Sequence, residues 1–316
     1  MTRHSGDLTV PLDFTPVLVG GTGRSGTTVI GGLLGRHRDV RASVPREIKC
    51  VTEPSGLLDV CVGPQVDARV GLRARALAAF PPLHRRALLL GFQRRMRGRW
   101  WQRSNRKDRA SGLHLTLDEQ VRDDLVERLV SDVSADPIAA GRDFLAGLVR
   151  SQADDGGESL WVDTSPPNIA EAGRIHRILP EARFIRMVRD GRSTAASVMA
   201  ERWGPSDPIE AISWWERHLV RAEAGLTDVP HESVLTLQLE DLVVRRRSDS
   251  YAQLLEFLSL DDDPSMRRFF DRRMPADRVR PDSWRHKVPD RVVFERAYEE
   301  AAGRLEARGI AVHAAA

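Results

Sequence analysis

Apolar residues arrive along this chain in short unbroken runs, separated by longer stretches where they recur every three or four positions. Pro16-Val17-Leu18-Val19-Gly20 is one such run, closed by glycines, and its length and flanks predict a buried strand. The segment from Thr27 to Leu34 follows with Val29, Ile30, Leu33 and Leu34 at helical spacing, and Val40 to Val44 predicts a second strand. Trp161-Val162-Asp163, Phe184 to Val188 and Val234 to Leu237 predict further buried strands. Asn168–Leu179, Ser193–Arg202, Ile209–Ala224 and Ser250–Leu258 carry helical patterns. Strands alternating with helices predict a three-layer α/β/α fold around a mostly parallel central sheet.

Residues 64–115 break that rhythm. They are rich in arginine, hold Pro81-Pro82, and contain the Trp100-Trp101 pair. A helical insert within one domain spanning residues 1–316 accounts for them. Its basic side is either a solvated face over a small apolar stripe or a docking surface for an anionic or amphipathic acceptor.

Composition narrows the class. Hydrophobic residues make up 41% and charged residues 29%, an ordinary globular balance, and 48 basic against 45 acidic residues leave a net charge of +3. So small an excess favours an anionic small ligand over nucleic acid. Cys50 and Cys61 stand eleven positions apart with no CxxC and no histidine cluster, which predicts neither a zinc site nor a disulfide framework. Met1 to Thr15 lacks a basic head followed by an apolar run, and no stretch is long and apolar enough for a membrane span. A reducing, cytoplasmic setting is therefore expected.

Between the first strand and the first helix lies Gly20-Gly21-Thr22-Gly23-Arg24-Ser25-Gly26-Thr27-Thr28. Glycines let the backbone turn tightly and aim successive N–H groups at an anion, and the following helix start adds its positive dipole end. Thr27 and Thr28 add hydroxyls. Gly21 and Gly26 have the spacing of the nucleotide triphosphatase loop, but Thr27 stands where that loop needs its lysine. The cation sits instead at Arg24, which weakens a kinase or other phosphotransferase reading.

This arrangement resembles the 5'-phosphosulfate loop of sulfotransferases that use 3'-phosphoadenosine 5'-phosphosulfate (PAPS), a basic residue followed by Ser-Gly-Thr-Thr. Arg24-Ser25-Gly26-Thr27-Thr28 matches it, with arginine where many members carry lysine. A second segment, Arg186 to Ser197, is similar to that family's 3'-phosphate motif, with Arg189 at the end of a strand and Ser197 eight residues later on a helix. A guanidinium fork and a helical hydroxyl suit a dianion. The resemblance covers residues 16 to about 290 and leaves 64–115 unmatched.

It implies PAPS as co-substrate, no metal, and a cofactor site made of Gly23, Arg24, Ser25, Gly26, Thr27, Thr28, Arg189 and Ser197. Arg280 to Arg285 looks like the family's late loop, where Trp284 would contact adenine and Arg285 the 3'-phosphate. Arg24 would stabilise the leaving phosphate. Glu47, in Pro45-Arg46-Glu47-Ile48-Lys49, matches the family's glutamate base, given partial burial to raise its pKa. The alternatives are a surface ion-pair cluster there, Glu53 as base, or a histidine, His84 or His114, whereas His37 is better placed to cap the first helix. Ser165 is expected to cap a helix opening at Pro166 or Pro167. The acceptor implied is a small molecule, a carbohydrate or a glycolipid. A catalytically silent nucleotide-binding protein would carry the same loop.

Overall fold

A computed structural model describes residues 12–64, 81–104, 110–152, 157–278 and 281–312. In chain order the elements are β1 (Thr15–Gly21), α1 (Thr27–Leu34), β2 (Val40–Ala42), α2 (Lys49–Thr52), α3 (Leu57–Cys61), α4 (Pro81–Met96), and the short pair β3 (Arg103–Ser104) and β4 (Ala110–Ser111). Then come α5 (Glu119–Asp132), α6 (Pro137–Arg150), β5 (Leu160–Asp163), α7 (Ala172–Ile178), β6 (Arg183–Val188), α8 (Gly191–Val198) and α9 (Pro208–Leu226). The chain closes with β7 (Val234–Gln238), α10 (Arg247–Leu258), α11 (Pro264–Arg273) and α12 (Arg291–Glu306).

The five long-range strands form one parallel sheet in the order β2-β5-β1-β6-β7. Val17, Val19, Phe184 and Ile185 are wholly buried, as a strand covered on both faces requires. The register is continuous: Gly21 lies opposite Met187, and Met187 opposite Leu237. Parallel strands in that register end on one edge, so the segments after Gly21, Val188 and Gln238 emerge side by side. That edge is where open α/β sheets bind ligands. The α/β class read from the pattern is the one found.

Helix starts are written locally. Asp136, Asp207 and Asp263 each precede a proline at the first helical position; Asp136 and Asp263 each accept two backbone N–H groups of the first turn and Asp207 accepts one.

Some boundaries differ from the pattern. Ser165 makes no side-chain cap. Asp163 Oδ1 takes the Ser165 N–H at 3.0 Å and the Asn168 side-chain amide at 2.7 Å, and that amide also reaches the Val19 carbonyl at 3.2 Å. Those bonds hold Pro166–Asn168 as a single 3₁₀ turn, and the helix begins only at Ala172. The strand expected over 40–44 is three residues long, and the helix expected over 193–202 is Gly191–Val198.

Two compact units are distinguishable. One holds Ser43–Trp161 and Arg174–Pro180, and the other Pro16–Ala42, Val162–Gly173 and Glu181–Ala316. In the first unit Phe92 packs edge-on against Trp100 at 5.6 Å and Phe144 at 5.4 Å between ring centroids, so α4 shares a core with α6. Residues 65–80 and 105–109 of that segment lie outside the described residues. Among the described residues, no helix is long and apolar enough to cross a membrane.

Candidate functional site

The loop after β1 is built around left-handed backbone. Gly23, Arg24 and Gly26 have φ of +84°, +58° and +104°. Glycine takes such values freely, whereas Arg24 is strained there. None of the amide hydrogens from Gly23 to Gly26 meets a backbone carbonyl among the described residues. Ser25 is fully buried and its Oγ has no partner. A Cβ at Gly21 would stand against the Met187 carbonyl oxygen and 2.6 Å from Ser25 Oγ, so only glycine lets the strand end pass beneath that hydroxyl. Thr27 is buried and Thr28 exposed in the first turn of α1. The orphaned hydroxyl and the unbonded amides are the donor set a phosphate would complete.

Register brings the second motif to the same edge. Arg24 Nε donates to Ser197 Oγ at 3.1 Å, and its Nη1 lies 3.4 Å from Glu201 Oε1. Arg189, at the end of β6, donates from Nη1 to the Arg24 carbonyl at 3.1 Å. Its Nε stands 4.0 Å from Glu240 Oε1, and Glu240 accepts the Asp190 N–H at 3.2 Å. Arg24, Arg189 and Ser197 are thus one connected cluster.

Burial shapes its charges. The Arg189 guanidinium is held below the ordinary arginine value by burial, opposed by Glu240 and Asp190, with Arg24 adding to the lowering. Burial pushes the Glu240 carboxyl up, against backbone N–H bonds and Arg189. Asp190 caps α8 by accepting the Ser193 N–H at 2.9 Å, as its position suggests, and also takes Arg192 at 2.9 Å. Two cations thus stand beside two buried carboxylates, and protein contacts alone hold the cluster together.

The late loop departs from expectation. Trp284 is only 1% exposed and lies in the core, 5.4 Å from Phe294 between ring centroids, with Arg192 over its ring at 5.3 Å. A ring enclosed in this way has no free face for adenine, which corrects that assignment. Arg285 is exposed and paired with Asp282 at 3.3 Å.

A family model described as "Sulfotransferase family" matches residues 74–264, more than half of the chain. The chain belongs to the sulfotransferase family. Its members are enzymes that use PAPS. The match includes Arg189 and Ser197 but begins after the glycine loop, and it takes in most of residues 64–115, which the sequence motifs leave unmatched. Sulfotransferase STF9 from Mycobacterium avium superposes with a TM-score of 0.51 at 16% identity, over 98% of this chain and 80% of that one. The sulfotransferase domain from the curacin biosynthetic pathway superposes with a TM-score of 0.50 at 15% identity, over 94% of this chain and 99% of that one. At such identities the likeness is one of fold. No curated protein gave a significant sequence match.

In the sulfotransferase's other unit, Glu47 lies on the approach to α2. Its side chain is 41% exposed and paired with Lys49 Nζ at 3.6 Å. Glu53 is engaged by Trp100 Nε1 at 2.8 Å, by Arg99, and by Lys49 at 3.9 Å, which makes it a structural junction. His114 Nδ1 bonds the Trp101 carbonyl at 2.7 Å, and His84 is partly exposed on α4. His37 is a tether: Nδ1 accepts the Asp39 N–H at 3.1 Å, so Nε2 donates to the Asp261 carbonyl at 3.0 Å.

Three residues at the sulfotransferase's loop were missed by sequence reasoning. Glu201 and Trp214 lie beyond Ser197 without a motif of their own, and Glu240 lies just past β7, outside both phosphate motifs. Trp214 stacks on His218 at 3.9 Å, and a Cβ on Gly23 would stand 3.6 Å from its ring. An acidic residue within one turn of Ser197 was the available signal for Glu201.

Proposed function

We propose that this sulfotransferase moves the sulfuryl group of PAPS to a hydroxyl of a small-molecule, carbohydrate or glycolipid acceptor. The observation that carries the reading is the cluster of Arg24, Arg189 and Ser197 beside the orphaned Ser25 hydroxyl at one sheet edge. The loop amides, Ser25 and the threonines Thr27 and Thr28 hold the 5'-phosphate, while Arg189 and Ser197 hold the 3'-phosphate that distinguishes this donor from ATP.

For transfer, the acceptor oxygen attacks sulfur in line. The bond from sulfur to the bridging phosphate oxygen breaks, and adenosine 3',5'-bisphosphate (PAP) leaves with the electron pair. Arg24 neutralises the charge that develops on the leaving phosphate. Glu47 takes the acceptor proton. It is preferred to Glu53, whose carboxylate already serves Trp100 and Arg99. Positioning and charge stabilisation supply most of the rate.

The test compares thermal stabilisation by PAP and by ADP at equal concentration. PAP is expected to give the larger shift, and Arg189→Ala to abolish the difference. A larger shift with ADP would overturn the donor assignment. Transfer from labelled PAPS, with Arg24→Ala as control, then identifies the acceptor.

A further inference from the structure

Charge is distributed very unevenly along this chain. Residues 68–107 hold eleven arginines and Lys107 with no aspartate or glutamate, a net charge of +12. The whole chain carries only +3, so the remainder sums to −9. A near-neutral total therefore hides one strongly basic segment in an acidic protein.

Helix α4 lies inside that segment and is apolar on two sides. Its inner side carries Phe92 and Met96, both wholly buried. On the opposite side, Leu83 and Leu90 are 62% and 60% exposed, seven residues apart and so two turns along one stripe. Arg86, Ala87, Arg94 and Arg97 fall on the same stripe and are exposed. Asp123 holds Arg97 at 3.3 Å, whereas Arg86 and Arg94 have no ion-pair partner among the described residues. The neighbouring sequence repeats the composition, with Val70, Leu72, Leu77 and Phe80 among Arg69, Arg73 and Arg75.

We propose that this face of α4 docks on an anionic phospholipid bilayer. Large exposed leucines alternating with arginines on one helical stripe are the chemistry of a surface helix: the guanidinium groups pair with headgroup phosphates while the leucines enter the acyl boundary. A soluble polyanion would satisfy the arginines but leave the leucines in water. A second copy of the same face would bring Arg86 and Arg94 against like charges. The acidic remainder offers anionic headgroups no comparable attraction, so the basic segment is the part of the chain they favour. The inference does not depend on the reaction proposed above.

Co-sedimentation of the full chain with phosphatidylcholine vesicles, with and without roughly 30% phosphatidylserine, tests it. Binding is expected only with the anionic vesicles. Arg86→Gln with Arg94→Gln should weaken it by roughly thirtyfold. Leu83→Ser with Leu90→Ser should leave weak binding that vanishes at high salt, because only the screened part remains. All four side chains are exposed, so unchanged melting temperatures are expected and certify the folds. Equal binding to both vesicle types, no binding to either, or leucine variants indistinguishable from wild type would each overturn the proposal. So would a polyanion such as heparin competing fully with vesicles while binding the leucine variants unchanged, or dimerisation that the leucine variants abolish.

Discussion

Glu201 sits where it must compete with the ligand. Its carboxylate lies 3.4 Å from Arg24 Nη1, the cation assigned to the donor's phosphate. To grip a phosphate, Arg24 must give up or share that partner. At 3.4 Å a unit pair is worth about 1 kcal/mol in water and about 5 kcal/mol at an effective dielectric of 20. Exposures of 45% and 22% place this pair toward the aqueous limit, and side-chain ordering reduces it further, leaving about 0.5–1 kcal/mol. Glu201→Gln keeps the shape and removes the charge, so PAP should bind about two- to fivefold tighter. Isothermal titration of wild type and variant at low salt measures this, and repetition at high salt should shrink the difference as screening weakens the pair. Folding stability should change by less than about 1 kcal/mol. Weaker PAP binding by the variant would refute the reasoning, because it would make Glu201 a partner of the ligand rather than its rival.

Other outcomes follow from the same geometry. Ser25→Ala removes a hydroxyl with no protein partner among the described residues, so unfolding free energy should hold within about 0.5 kcal/mol while PAP affinity falls about fivefold. Arg189→Lys keeps a charge but loses the fork that reaches both the Arg24 carbonyl and a phosphate, and titration should register a loss of at least roughly tenfold in PAP affinity. Gly21→Ala drives a methyl against the Met187 carbonyl and should cost about 1–3 kcal/mol in chemical denaturation. His218 has its pKa lowered from 6.5, first by burial and then by Arg221 and Arg217, against its bond to the Trp214 carbonyl. The unfolded chain therefore takes up the proton first: the contribution of His218 is complete above about 6.5 and is lost as pH falls toward the lower folded value. Denaturation at pH 7.5 and 5.5 should show a smaller drop for His218→Asn than for wild type.

What could be read from the sequence was what short segments dictate by themselves. Val17 to Gly20 and Phe184 to Val188 are apolar on both faces because both faces of the sheet are covered, and that pattern needs no partner to be recognised. The glycine loop was visible for the same reason: Gly23 and Gly26 occupy left-handed backbone, and a residue type records that need. The roles of Glu201, Glu240 and Trp284 were not visible, because each depends on what stands opposite. Glu240 became a partner of Arg189 only through the β6–β7 register, which sets Val188 beside Gln238. Trp284 was expected at a ligand because Arg280 to Arg285 resembles the family's late loop. In the fold, Phe294 and Arg192 enclose it first.

Arg24 joins the two kinds of information. Its place in Arg-Ser-Gly-Thr-Thr could be read, but its φ of +58° and its bonds to Ser197 and Glu201 could not. A non-glycine residue held in that region stores strain that the surrounding contacts must offset. Here those contacts are the ones a donor nucleotide would replace. Glu201 and Ser197 hold the loop in shape when no anion is present, and a phosphate supplies the same compensation more strongly when it binds. The loop is therefore preorganised at a small electrostatic cost, and the same exchange of partners at Arg24 would couple release of the product nucleotide to re-formation of the Glu201 pair.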